Sequence, residues 1–451
     1  MRLPLKYQGL IWSIAIVGVA FFAGHANAGF GGFRNGAVGG VSINAEGVLS
    51  QPTVVAADGL RKAIAADLQD VPELMDSQIT LRKISLKKLE AALQNAPNND
   101  LSQLPDEIRY LAGLQRIQYV FVYPEQQDVV IAGPGEGWMA NDRGDIVGKT
   151  TGLPVIKLED LLVALQTART ARTSGISCSI DPTEAGTRAM QQYVRKQKQF
   201  SPAIVDGIAK SLGPQQITIA GVPETSHFAR ILVAADYRMK RIAMQLDKSP
   251  VPELPSFLEM MAQSRTKITN MMPRWWLACD YDPLARSEDG MSWELRGRGV
   301  KVMTEDSLVS DDGSFTTTGK KSPIAARWAD QMTRHYDDLS REEAVFGQLR
   351  NLMDMSVIAA LIEKEQLLQQ AGCQLPTLTG ANGDFAMEAW NPPKTVSSEC
   401  SVIKRGREYL ITASGGVQID SWRYAARSQD SKAVGEAKAR NAHPADSWWW
   451  N

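Results

Sequence analysis

The segment FGQLRNLMDMSVIAALIEKE, Phe346 to Glu365, constrains the fold more than any other. From Leu349 to Ile362 its apolar residues fall on most sides of a helix, and such a helix needs protein all around it. It lies in the second of two expected helices, Pro323 to Asp338 and Arg341 to Gln370. A chain of 451 residues, 44% of them hydrophobic, has the material to enclose it. What encloses it is read from the periodicity of the other segments.

Strand patterns are frequent. VSINAEGVLS reads as a hairpin, and ITLRKI as a strand. IQYVFVY and DVVIAG, joined at Pro124 to Gln127, form the clearest hairpin, with the long apolar runs of strands covered on both faces. GISCSID, QITIAG, RWWLACDY, MSWELRG and VKVMTED are further strands. Between them lie helices at Leu60 to Leu68, after Ser85, at Leu158 to Ala168 and at Pro182 to Lys198, with another opened by Ser201-Pro202. The most regular helix is Ser226 to Leu246, where Phe228, Ile231, Leu232, Ala235, Met239, Ile242, Ala243 and Leu246 share a face.

This order predicts an α+β fold, a mixed sheet with packed helices. The expected divisions are an N-terminal α+β domain over 41–170 and a central α/β region over 171–372 that ends in the two helices. A β-rich C-terminal region follows over 373–424. Residues 425–451 are small and polar until Trp448-Trp449-Trp450-Asn451, and are expected to be a disordered tail that orders on a partner.

The first 28 residues read as a signal peptide. Arg2 and Lys6 supply the positive end, Leu10 to Ala23 the apolar run, and Ala26-Asn27-Ala28 the cleavage site. The apolar run is short of the roughly 18 residues that a bilayer span needs. The expectation is an exported protein, periplasmic or extracellular, that begins at Gly29 with a glycine-rich lead to Gly40 and has no transmembrane span in its mature chain. Net charge is −1 for the whole chain, and losing Arg2 and Lys6 takes it to −3. Such a balance gives no electrostatic case for nucleic acid or anionic membrane.

Four cysteines in an exported chain raise the question of disulfides. Cys178–Cys279 and Cys373–Cys400 are the favoured pairs, since each closes a loop inside one proposed division; buried free thiols are the alternative. No C-x-x-C spacing suggests zinc. Beyond the leader only His227, His335 and His443 remain, so a nucleophile–histidine site would need His227 or His335.

Two motifs come near known patterns and miss. DRGDIVGKTTG, Asp142 to Gly152, has three residues rather than four between Gly144 and Gly148, and Leu153-Pro154 follows where a phosphate loop needs a helix. GPGEG at Gly133 also leads to a turn rather than a helix. No nucleotide, metal or other cofactor is expected. Ser85 of its Ser-x-x-Lys motif is better used as a helix cap.

RWWLACDYDPLARSEDG, Arg274 to Gly290, is the stretch with the most chemistry. Asp280, Asp282, Glu288 and, just beyond, Glu294 could supply a glycosidase pair, which requires two carboxyls about 5 to 9.5 Å apart. Trp275 and Trp276 could stack on a sugar, but on a strand they point to opposite faces and only one can do so. The alternative is a core strand that ends in a solvated acidic turn.

Several long segments together resemble a known family: LEDLLVAL at Leu158, ISCSIDPTEAG at Ile176, FARILVAADYRMKRIAM at Phe228, RWWLACDYDPL, MSWELRGRGVKVMTED and the Phe346 segment. They resemble a family of exported planctomycete proteins containing a domain of unknown function, over about Val41 to Trp422. The resemblance implies an exported, multi-element protein and assigns no activity and no site residue. The reading overall is a non-enzymatic binding or structural component of the cell envelope or periplasm, with an envelope protein or polysaccharide as partner. Its binding residues would be Trp275, Trp276, Trp448, Trp449 and Trp450. The alternative is a glycan-directed hydrolase using the Asp280–Glu294 carboxylates.

Overall fold

The computed structural model describes residues 40–52, 54–197, 203–264, 271–309, 315–317, 319, 321–382, 385–405, 408–411, 414–441, 443–444 and 447–451. The signal peptide, and the glycine-rich lead up to residue 39, lie outside these.

The α+β expectation holds. Most strands belong to two mixed sheets. The larger has nine strands, in spatial order Ser42–Ile43, Val48–Ser50, Thr395–Val396, Gln215–Ala220, Ile176–Asp181, Ser414–Ile419, Met271–Asp280, Gly299–Val309 and Phe315–Thr317. The smaller has seven: Ser428–Asp430, Leu284–Arg286, Ser292–Glu294, Tyr119–Tyr123, Asp128–Gly135, Ile79–Ser85 and Trp449–Trp450. Both sheets draw strands from stretches that the sequence divided at 170 and 372. The centre of the larger sheet shows this best, because Ser414–Ile419 sits between Ile176–Asp181 and Met271–Asp280. The linear division into domains is therefore corrected to one interleaved unit.

One face of the larger sheet is covered. Ile176, Cys178, Ile180, Trp275, Leu277, Cys279, Val417 and Ile419 are buried on it, and the helices His227–Ala243 and Pro323–Arg334 pack against it. Ser226 caps the first of these helices by accepting from Ala229 N–H at 3.1 Å, and its apolar stripe is the one expected. Trp275 packs edge-on to Phe257 and Trp328, with ring centroids 4.7 and 5.0 Å away.

The segment that opened the sequence reading is the helix Ala344–Lys364, buried from Ala344 to Ile362. Among the described residues it alone is long and apolar enough to cross a membrane, and its apolar window is wholly enclosed by protein. It ends where Gln366 turns left-handed (φ 53°), so the expected 30-residue helix is three shorter ones. Asp354, fully buried on this helix, accepts two hydrogen bonds from Arg116, from Nε at 2.8 Å and Nη2 at 2.9 Å, and a third from Tyr281 OH at 2.7 Å. Arg116 leads into Tyr119–Tyr123 of the smaller sheet, and Tyr281 directly follows Met271–Asp280 of the larger. Burial opposes charge on Arg116, but Asp354 outweighs it and raises the guanidinium pKa.

Two expectations are overturned. All four cysteines are free and buried. Cys178 and Cys279 lie on strands separated by Ser414–Ile419, and two strand spacings of about 4.8 Å each exceed the roughly 7 Å limit between Cα atoms. Cys373 belongs to the main core, whereas Cys400 sits in a separate cluster with Met190, Ile204, Ile208 and Leu212.

The described residues of the tail are ordered as well. Lys432–Ala439 is a helix, and Trp449–Trp450 pairs antiparallel with Lys83 and Ile84 at the edge of the smaller sheet. Trp448 and Trp449 pack on the main core and Trp450 on a cluster around Phe121 and Val130. His443 Nε2 contacts the buried Asp128 carboxylate at 2.7 Å, and Arg82 Nε donates to Asn451 Oδ1 at 2.9 Å. Composition missed this because an edge strand offers unpaired backbone groups to any segment that reaches it, whatever its polarity.

Truncating Asp354 leaves Arg116 buried without its carboxylate, a loss of about 3–5 kcal/mol. Asp354→Ala should therefore lower the denaturation midpoint by that amount in a urea titration, and Tyr281→Phe by about 1 kcal/mol. An Asp354→Ala protein as stable as the parent would contradict this role.

Candidate functional site

The other face of the larger sheet is polar and open. Strand register places Thr218, Ser179, Gly416, Trp276 and Met303 in one row across five strands. The neighbouring row holds Gln216 and Asp181, then Ser414, Arg274 and Glu305. Trp276 is partly exposed and Met303 is 38% exposed. The two tryptophans thus separate as the alternation requires: Trp275 is core, and Trp276 faces solvent.

A cavity of about 650 Å³ opens on this face and is lined by Trp276, Arg274, Glu305, Ser177, Ser179, Gly416 and Gln418, among others. Its far wall is formed by Arg172, Asp420, Trp422 and Arg423, at the end of the helix Leu158–Ser174 and the start of Ser421–Ala425. The Arg172 guanidinium lies 5.0 Å from the Trp422 ring, and the Trp422 indole N–H donates to Ala168 O at 2.8 Å. Both fix the wall. Gly416 forms the floor: a Cβ there would meet the Cys178 carbonyl oxygen at 2.4 Å. Its lack of a side chain lets the neighbouring strand lie close.

Arg274 stands beside Trp276 on the same face of its strand. It meets Asp181 at 3.5 Å, and its Nε has no hydrogen-bond partner among the described residues. Sequence reading quoted this arginine without selecting it. The signal was present, since residues 274 and 276 share a face of any strand. Arg172, Gly416 and Trp422 carried no local signal, because distant segments bring them to the cavity.

The structure places the four proposed catalytic carboxylates at the ends of two strands and in the turns beside them. Asp280 ends its strand beside Lys301 at 3.4 Å. Glu294, on a strand of the other sheet, accepts from Tyr119 OH at 2.8 Å and approaches Arg296 at 3.9 Å. Asp282 and Glu288 are exposed in the connecting turn, where neighbouring Asp289 accepts from Ser287 Oγ and Met291 N–H. Trp448, Trp449 and Trp450 are committed to the protein's own surface. Among the described residues no group of three or more histidine, cysteine or acidic side chains could hold a metal.

The histidines resolve differently. His335 lies 3.6 Å from Asp338 on a helix surface. His227 is buried, with Nδ1 2.9 Å from the Asp160 carboxylate, the arrangement of a base and its orienting acid. Its Nε2 has no hydrogen-bond partner among the described residues, so the structure supplies no nucleophile to this pair.

The near-miss phosphate loop turns out to hold an anion of its own. Glu136, fully buried, accepts from Thr150 N–H and Thr151 N–H at 3.0 Å each, from Thr151 Oγ1, and from Gln115 Nε2 at 2.8 Å. A Cβ on Gly148 would meet Glu136 Oε1 at 2.0 Å. Backbone N–H groups that cradle a phosphate elsewhere here cradle a carboxylate.

Residues 178–257 match a family described as Protein of unknown function (DUF1598). No curated protein and no solved structure matches the chain. The matched segment supplies the Gln215–Ala220 strand, most of Ile176–Asp181 and the helix His227–Ala243 beneath them. Trp276 and Arg274 lie outside it.

Burial raises the Glu136 carboxyl, but hydrogen bonds from Thr151 and Thr150 outweigh it and hold it below its ordinary value of 4.5. With the folded pKa depressed, its contribution to stability is complete above the unfolded value and is lost as pH falls through the folded one. Glu136→Gln should cost about 1–3 kcal/mol at neutral pH and should converge with the parent in acid. Melting curves from pH 7 down to pH 3 test this; a constant difference would refute it.

Proposed function

We propose that the protein is a non-enzymatic binding component of the cell envelope or periplasm that holds a saccharide chain on the open face of its larger sheet. The observation that carries this reading is Trp276. A partly exposed indole stands in the middle of a polar sheet face, beside a glycine floor and a row of hydroxyl and amide side chains. The apolar face of a sugar ring packs on such an indole, while serine, glutamine and arginine groups hydrogen-bond its hydroxyls. A large core residue placed there for packing would be buried, as Trp275 is.

None of the four proposed catalytic carboxylates lines the cavity beside Trp276, which supports binding over hydrolysis there, because glycoside cleavage needs an acid and a second carboxylate across one bond. The amino-terminal leader supports export, and the wider resemblance to exported planctomycete proteins agrees with it. Protein recovered from the exported fraction of its host should begin at Gly29 by mass spectrometry. An intact Met1 on a membrane-bound product would reject the soluble, exported reading.

Trp276→Ala should leave the melting temperature close to the parent's and weaken binding to envelope polysaccharide about tenfold, equivalent to about 1.4 kcal/mol. Calorimetric titration checks it. Unchanged affinity in the variant, or no affinity for any envelope glycan in the parent, would overturn the proposal.

A further inference from the structure

We infer that the saccharide is acidic, carrying a carboxylate on the ring that stacks on Trp276 or on the ring next to it; this rests on the saccharide reading above. Three arginines, Arg172, Arg274 and Arg423, line the cavity against two acids, Glu305 and Asp420, an excess of one positive charge. Position matters more than number. Arg274 and Trp276 are two residues apart on the same face of one strand, a separation of about 6.6 Å. That spacing sets a cationic fork beside a sugar platform.

The state of Arg274 makes it available. Several partly buried arginines elsewhere are held by carboxylates, and buried Arg82 by carbonyl oxygens. Arg116 has Asp354, Arg238 has Glu343 through an Nε contact of 2.6 Å, and Arg241 has Asp247 at 2.7 Å. Arg274 has one long contact of 3.5 Å to a partly exposed Asp181, the kind of pair that contributes little, and a buried Nε without a partner among the described residues. A planar guanidinium in this condition matches a carboxylate through two parallel hydrogen bonds.

The test compares polygalacturonate, neutral dextran and dextran sulfate by titration against the full chain at low salt, with Trp276→Ala, Arg274→Gln and Arg274→Lys beside the parent. Polygalacturonate should bind the parent at least about tenfold tighter than dextran. Arg274→Gln should remove most of that preference, weakening polygalacturonate binding far more than dextran binding. Arg274→Lys, which keeps the charge and loses the fork, should restore only part of it. Trp276→Ala should weaken both.

Equal affinity for polygalacturonate and dextran, or an Arg274→Gln loss shared equally by both, would overturn the acidic assignment while leaving the saccharide reading in place. Dextran sulfate binding as tightly as polygalacturonate and unaffected by Trp276→Ala would also overturn it, since charge alone would then explain the attraction. Failure of all three polymers to bind the parent would instead remove the saccharide reading itself.

Discussion

Asp354 is the point on which the two sheets depend. It lies on a helix with no exposed side over nearly its whole length, and it takes its three hydrogen bonds from residues that stand next to strands of different sheets. A carboxylate enclosed by protein must be matched by donors, or the fold must give way. Arg116 and Tyr281 are those donors, each held within a few residues of a strand. The same contacts that neutralise the helix therefore also set the ends of two strands. Because Met271–Asp280 carries Trp276 and Arg274, the open face inherits its position from this buried node.

The protein treats its charges in two ways. Inside, anions such as Glu136 and Asp128 are enclosed by donors, Glu136 by the Thr150–Thr151 turn and Asp128 by Ser85 and His443. On the open sheet face, a cation and an aromatic ring stand side by side with little to engage them. The contrast gives the face its meaning. Interior groups are there to specify one structure, while Trp276 and Arg274 satisfy no interior demand.

Local pattern in the sequence reached far. The helix after Ser226, the hairpin across Pro124 to Gln127, the buried helix around Leu349 and the opposite facing of Trp275 and Trp276 are all set by neighbours within a turn or a strand. Ser85 caps its helix through Lys88 N–H, as its position suggested. What escaped were pairings over long distances. Nothing near Cys178 or Cys279 shows that Ser414–Ile419 will stand between them. Nor does the polarity of residues 425–447 show that an edge of the smaller sheet waits for Trp449 and Trp450. The carboxylates from Asp280 to Glu294 look concentrated in the chain, yet none of them lines the cavity beside Trp276.

The insertion of Ser414–Ile419 into the middle of the larger sheet has a consequence for how the molecule assembles. Its neighbours on either side come from about 240 and 140 residues earlier in the chain. Neither flank can close the sheet before that segment arrives, so the nucleus must bring together parts of the chain separated by much of its length. Folds with contacts of such long range form slowly, because loop closure comes before the stabilisation it permits. The stretch 178–257, cut out alone, would present two paired strands and three helices with an unclosed edge where Ser414–Ile419 belongs. It is a recognisable piece of sequence without being a piece that can fold by itself.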